Sequence, residues 1–539
     1  MFFNEGRIEK ILKDLKHKTM ENNIPIDRIK WKNCEYGADL LAEDDADWKE
    51  FSREQVWGGK DKHSWFRFQV VIPKELEGKP VMLTIHTGRE GWDATNPQFI
   101  VYVDGILKHG LDTNHRVVSI TESGKIEEKY QVDLYAYGGT EDGDSRLHGE
   151  IFTLNLQVEK LYYDIAVPFE AACLLPKEDK RRIDTLNHLE QAINLLDFRD
   201  DTSEAFYQSV EEAAQYLKQE FYGSELIGQG DESELCVGHT HIDVAWLWTL
   251  RQTREKVVRS FSTVLSLMKE FPEYIFMSSQ PQLYQFIKEE QPELYNEIKE
   301  MVSQGRWEPE GSMWVEADCN LVSGESLVRQ ILFGKQFFKD EFGADNKILW
   351  LPDVFGYSAA LPQIMKKTGI QYFMTTKISW NEFNKMPYDT FMWRGIDGSE
   401  ILTQFVTTQE YNEKEPKNYT TYNGVINPSH VLGGWQRYQQ KDINNEVLNC
   451  FGFGDGGGGP TKEMLEYARR MKDGLPGMPK VRQGKAIDFF ETLEKKVSKN
   501  PKLPKWVGEL YLEFHRGTYT SMARNKKYNR KAEFMKFKI

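Results

Sequence analysis

Residues 234–271 read ELCVGHTHIDVAWLWTLRQTREKVVRSFSTVLSLMKEF, and the hydrophobic period changes inside them. ELCVGH has the length and apolar content of a buried strand. TREKVVRSFSTVLSLMKEF places apolar side chains three and four apart, as an amphipathic helix does. The same strand, loop, helix order recurs downstream. YIFMSS precedes QPQLYQFIKEEQPELYNEIKEMVSQG, ILWLPD precedes ALPQIMKKTG, which leads into QYFMTT, and EVLNCFGFG precedes TKEMLEYARRMKDG. Such repetition predicts a parallel sheet or barrel with helices outside. In these folds chemistry sits at the carboxyl ends of the strands.

Upstream the pattern differs. From about residue 31 to 158, SWFRFQVVIP, KPVMLTIHTG, QFIVYVDGIL, KYQVDLYAYGG and GEIFTLNLQVEKL alternate without intervening helices, which predicts a β-sandwich of the jelly-roll kind. Residues 177–221 then take a helical period. A chain of 539 residues is too long for one core, so two or three domains are expected. Aromatic residues at 13%, with 14 Trp, fit sugar stacking, although well-filled cores are the commoner reading of composition alone. A net charge of −14 argues against a nucleic-acid partner. The five cysteines form no CxxC pair and no disulfide framework, which suits a reducing compartment. The charged start is unlike a signal peptide, and no run approaches the length of a membrane span, so the cytoplasm is expected and a membrane partner is not.

The sharpest motif is VGHTHIDVAWLW, residues 237–248, at a strand end. Alternate residues of extended chain point the same way, so His241 and Asp243 converge. An imidazole with a carboxylate is an ordinary donor pair for zinc or a similar divalent cation. HxD alone is more often a buried polar cluster whose members bond one another. His239 reads as an orienting group behind the pair or, slightly more often, as a core histidine. In ILWLPDVFGYSAALPQI, residues 348–364, Asp353 follows an apolar strand, where a functional carboxylate and a helix N-cap are equal readings. FGFGDGGGGP also follows a strand. Its four glycines allow close backbone approach to a ligand, with Asp455 at their front, and it lacks the Lys-Ser/Thr ending of a nucleotide loop. GRWEPEGSMWVEADCNL carries Glu308, Glu310, Glu316 and Asp318 beside Trp307 and Trp314, and GELYLEFHRGTYTS carries Glu509, Glu513, His515 and Arg516. Each reads as a surface strand and turn, or as a sugar pocket where carboxylates hold hydroxyls and aromatic faces stack.

Taken in order, HTHIDVAWLW, EPEGSMWVEADCNL, LWLPDVFGYSAALPQI, GDGGGGPT and GELYLEFHRGTYTS resemble glycoside hydrolase family 38, the class II α-mannosidases, in its cytosolic and bacterial branch. The resemblance covers nearly the whole chain. It implies a multidomain protein: an N-terminal β-sandwich over 1–165, a helical linker over 166–232, a seven-stranded β/α barrel over 233–500, and over 501–539 the end of the barrel region with only the start of a helical bundle. It implies one divalent metal ion, usually Zn2+, with Co2+, Mn2+ or Ca2+ as alternatives. By motif, His241, Asp243 and Asp353 would be metal ligands, and Asp353 also the catalytic nucleophile. Trp246 and Phe355 would line a mannose subsite, Asp455 would hold sugar hydroxyls, and Glu509 would be the general acid/base. The implied reaction is retaining hydrolysis of terminal α-linked mannose from oligosaccharides, through a covalent glycosyl-enzyme, with the two carboxyl groups about 5–5.5 Å apart. Mannosides are the expected partners, with self-association or a separately encoded C-terminal half beside them.

Relatives in that family are longer, and a histidine from the bundle completes their metal site. RKAEF resembles them whereas the closing MKFKI does not, so the sequence reads as cut short. The rival expectation is an inactive or half-enzyme remnant that binds mannosides without turnover. A metal-dependent polysaccharide deacetylase also sets Asp and His on a β/α barrel but needs a different His spacing, and a sugar-binding module built on the sandwich alone leaves the later motifs unexplained.

Overall fold

The alternating runs of the first third pair as antiparallel strands. In this computed structural model, which describes residues 4–89, 97–417 and 419–536, they form two sheets. Phe537, Lys538 and Ile539 of the divergent ending lie outside the described residues. The larger sheet runs Lys49–Phe51, Ile29–Cys34, His63–Val71, Lys129–Tyr137, Gln98–Val103, Ile106–Leu111. The smaller runs Met20–Pro25, His148–Leu154, Val81–His86, Val117–Thr121. Phe66, Phe68 and Val70 of the first meet Leu83, Ile85 and Val118 of the second in one apolar core. The opposite face of the larger sheet is covered too. Trp65, Ile100 and Tyr135 join a second core with Val257, Val258 and Phe261 of the helix Leu250–Glu270. Burial on both faces explains why HSWFRF is almost continuously buried rather than alternating. The approach is close: the Gly110 N–H donates to Thr263 Oγ1 at 3.2 Å, and a Cβ on Gly110 would collide with Arg259.

Three helices follow, Leu156–Leu174, Lys180–Asn194 and Glu204–Tyr216, capped by the side chains of Asn155, Asp179 and Ser203. The first is buried over most of its surface, and its Asp164 accepts from Arg470 Nε at 2.9 Å. Later, the helical run after YIFMSS divides into Pro281–Glu290 and Pro292–Ser303. Gln291 is held out of helical geometry ahead of Pro292, whose ring disfavours the α region for the residue before it.

The βα repeats build two sheets. One runs Trp307–Pro309, Phe276–Ser278, Ser233–Gly238, Glu446–Phe451, all parallel, with Lys480–Gln483 also beside Ser233–Gly238. The other runs Ile348–Trp350, Tyr372–Thr375, Glu400–Phe405, Thr390–Arg394, Lys505–Val507, with one antiparallel pairing between Thr390–Arg394 and Glu400–Phe405. Among the described residues no sheet closes, so the seven-stranded barrel expected from the sequence is not present as a continuous ladder. One of the open junctions lies between Pro309 and Ile348. There the Glu310 carboxylate accepts the N–H groups of Lys347 and Ile348 at 3.2 and 3.3 Å, Ser312 Oγ donates to the Ile348 carbonyl at 2.7 Å, and Asn346 Nδ2 donates to the Pro309 carbonyl at 2.8 Å. Side chains take the backbone groups that a neighbouring strand would otherwise pair. Both sheets still feed one core, with Leu235, Val237 and Met277 from the first against Trp350, Met374 and Leu402 from the second. Among the described residues, no helix is long and apolar enough to cross a membrane, and all five cysteines are unpaired.

Candidate active site

Five parallel strands each deliver a polar residue just beyond their carboxyl ends. Ser233–Gly238 leads to His241 and Asp243, Trp307–Pro309 to Glu316, Ile348–Trp350 to Asp353, Tyr372–Thr375 to Lys377, and Glu446–Phe451 to Asp455. His241 is the hub. Its Nε2 lies 3.5 Å from Asp243 Oδ1 and 3.7 Å from Asp353 Oδ2, and its Nδ1 lies 3.0 Å from Glu316 Oε2. Burial opposes protonation of this imidazole, but Glu316 and Asp243 outweigh it and hold its pKa well above the ordinary histidine value. Lys377, itself buried, forms an ion pair with Asp353 Oδ1 and lies 4.3 Å from the Trp380 ring centre. Asp353 caps no helix, since the next one, Leu361–Lys367, starts well beyond it.

A further, buried carboxylate beside these groups is Asp455. Tyr422 Oη donates to its Oδ1 at 3.1 Å and Asn423 Nδ2 donates to its Oδ2 at 2.8 Å. Burial, reinforced by Asp353 and Asp243 against the opposing effect of His241, raises its pKa above the ordinary carboxyl value.

Atoms of His241, Asp243 and Asp353 that are able to ligate a metal all lie within 4.8 Å of one another. One imidazole and two carboxylates suit a divalent cation, and a carboxylate behind the imidazole, here Glu316, is the usual partner of a metal-bound histidine. A cavity of about 650 Å³ opens over these groups, with Asp243, Glu316, Asp353, Phe355, Tyr519 and Arg530 in its wall. That volume is in the range of small-molecule sites.

Residues 234–509, just over half of the chain and including His241, Asp243, Glu316, Asp353, Lys377, Tyr422 and Asp455, match the profile of the glycosyl hydrolases family 38 N-terminal domain. The chain belongs to glycosyl hydrolase family 38. Among curated relatives, Alpha-mannosidase G of Dictyostelium discoideum is 36% identical over 500 residues, 90% of this chain and 44% of that protein. Alpha-mannosidase of Saccharomyces cerevisiae is 32% identical over 517 residues, 90% of this chain and 46% of that one. Alpha-mannosidase 2C1 of Homo sapiens is 35% identical over 485 residues, 87% of this chain and 44% of that one. The chain thus spans about half the length of the curated relatives it matches.

Other family 38 candidates are placed differently. Phe355 lines the cavity, its ring 4.7 Å from that of His515. Trp246 is 54% exposed, packs edge-on against Trp248, and is not part of the cavity wall. Glu509 is not brought to the site. It is exposed, because Leu510 pairs with Tyr357 and turns its own side chain into the core, leaving Glu509 on the outer side. His239 is a core residue: it packs against Trp350 at 5.4 Å, and burial pushes its pKa down to about 3. Glu308 and Glu310 face away from the cavity. Glu308 accepts the N–H groups of Ala486 and Ile487 at 2.6 and 3.1 Å, capping the helix Ala486–Val497, and Glu310 joins the two parallel sheets. Sequence reading passed over Lys377 and Tyr422. Lys377 had a usable signal, since it follows the strand Tyr372–Thr375 at the position where this class of fold exposes functional groups.

Proposed function

We propose that this chain carries the centre that hydrolyses α-mannosides with retention of configuration, using one divalent cation. The observation that carries the reading is the cluster of His241, Asp243 and Asp353, whose ligating atoms lie within 4.8 Å of one another at strand ends, with Asp455 near enough for Asp353 and Asp243 to help raise its pKa. A separation near 5–5.5 Å belongs to retaining enzymes, whereas inverting ones need about 6.5–9.5 Å to admit a water. The two open parallel arcs, sharing one core, serve as the expected barrel. The unpaired thiols support a reducing compartment such as the cytoplasm.

Asp353 is the nucleophile. Its carboxylate oxygen bonds to the anomeric carbon as the bond to the leaving oxygen breaks, and Asp455 gives that oxygen its proton. Lys377, ion-paired with Asp353, orients it for attack. Asp455 suits the acid role because it is buried and its pKa is raised, the condition a general acid needs near neutral pH. Water then attacks the anomeric carbon, passes a proton to Asp455, and releases Asp353. His241, Asp243 and Asp353 would hold the cation, with Glu316 orienting His241. When bound, a zinc or similar ion supplies Lewis-acid contacts to adjacent sugar hydroxyls and favours a distorted ring.

The test is hydrolysis of an aryl α-mannoside by the purified chain with zinc added, Asp353→Asn as the control, and NMR of the first-formed anomer. Turnover giving the α-anomer and lost in Asp353→Asn is expected. First-formed β-anomer would reject the retaining mechanism. Mannoside binding without turnover would favour a half-enzyme.

A further inference from the structure

The loop that carries Asp455 is gripped from outside the parallel sheets. Phe453 and Gly459 exchange backbone hydrogen bonds of 3.0 and 2.8 Å, making residues 453–459 a small hairpin with Asp455 near its start. One flank is tied to the site: the Asp455 N–H donates to the His241 carbonyl at 2.8 Å, and the Gly454 N–H donates to Asn423 Oδ1 at 3.0 Å. The tip is tied to the antiparallel domain and the helix beneath it. Asn114 Nδ2 donates to the Gly457 carbonyl at 2.9 Å, His115 Nε2 donates to the Pro460 carbonyl at 2.8 Å, and Arg259 Nη2 donates to the Gly456 carbonyl at 2.5 Å.

Asp112 organises these three donors. Its Oδ1 accepts the N–H groups of Asn114 and His115 at 2.8 and 3.0 Å and lies 3.0 Å from His115 Nδ1, while its Oδ2 pairs with Arg259. Gly458, at φ +92°, passes so near that a Cβ there would collide with Asp112 and His115. Four glycines give the hairpin freedom to move, and its carbonyls are buried groups that need donors.

We infer that Asp112, Asn114 and His115, with Arg259, form a positioning clamp that fixes Asp455 against Asp353, so that the antiparallel domain sets the efficiency of proton delivery to the leaving group. This rests on the role given to Asp455 above. A clamp that holds the proton donor acts only where a proton is needed, and small misplacements of catalytic groups cost up to about 100-fold.

The experiment uses the full chain with zinc, and Asn114→Ala beside Asp112→Asn in case one fails to fold. Two substrates are compared: a dinitrophenyl α-mannoside, whose leaving group departs unprotonated, and methyl α-mannoside, whose leaving group does not. Hydrogen exchange at the amides of residues 456–459 is followed in parallel. The expected result is a fall in kcat/KM of about 10-fold or more on the methyl glycoside, little change on the dinitrophenyl one, and faster exchange at the loop. Equal losses on both substrates, or unchanged exchange, would overturn the clamp. Should the parent chain turn over neither substrate, the function proposed above fails, and exchange alone decides: faster exchange keeps the clamp as a feature of the fold, and unchanged exchange removes it.

Discussion

Glu308 and Glu310 lie a few residues before Glu316 and Asp318 on one stretch of chain, among the same tryptophans, yet the two pairs meet different partners. The first pair meets backbone N–H groups: Glu308 at the start of the helix Ala486–Val497, Glu310 across the gap between the parallel sheets. Burial pushes their pKa values up to about 7 and about 8, with Glu308 adding to the effect on Glu310. The second pair lines the cavity, Glu316 against His241 and Asp318 at its wall. A carboxylate whose oxygens are consumed by fixed backbone dipoles builds the fold. A carboxylate whose neighbour is an imidazole facing open space serves the site.

Substitutions that separate the cavity carboxylates from the joint carboxylates sharpen or break this division. The largest effect is expected from Asp353→Asn, which should lower kcat on an aryl α-mannoside by about 10⁴-fold or more, read by steady-state kinetics; a loss below tenfold would remove it from the nucleophile role. Asp455→Asn should lower kcat/KM on methyl α-mannoside by about 10²–10⁴-fold and spare the dinitrophenyl substrate. Glu316→Gln should weaken zinc binding by about 10–100-fold, measured by titration against a competing chelator, with little change in unfolding midpoint without metal.

Glu310→Gln should do the reverse. It should leave zinc affinity intact and act on stability instead, through its pH dependence, as read by urea unfolding. Its pH signature follows from the raised pKa. The folded chain keeps protons on Glu308 and Glu310 that the unfolded chain releases from pH 4.5 upward, so stability contributed by these groups falls as pH rises toward about 8 and levels beyond it. Glu310→Gln should flatten part of that fall. If instead it weakened zinc binding while Glu316→Gln did not, the division would be wrong.

The local parts of the site were legible in sequence. HTHID set a histidine and a carboxylate two apart on extended chain, and the strand before Asp353 announced a strand-end carboxylate. What failed to show was anything decided by distant neighbours. Glu308 and Glu509 sit in motifs as rich as that of Glu316, and only the helix at Ala486 and the pairing of Leu510 with Tyr357 take them out of the site. The open sheet was hidden for the same reason. Strand-like periodicity reports which faces are apolar, and it cannot report that a carboxylate has replaced a ladder. The Asn114 to Gly457 bond joins the antiparallel domain to the glycine hairpin across more than three hundred residues, a contact that no local pattern records.

The joint at Glu310 gives the ligand cluster a mechanical meaning. His241 and Asp243 hang from one sheet and Asp353 from the other, with no strand ladder bridging the gap beside them. An ion gripped by all three would act as a rivet across a seam. By linkage, a ligand that binds only the closed seam adds about 2.7 kcal/mol of stability at a concentration a hundred times its Kd. Chelation should therefore loosen the whole parallel half, lowering its Tm and opening its amides to exchange, while the antiparallel sheets keep their own protection.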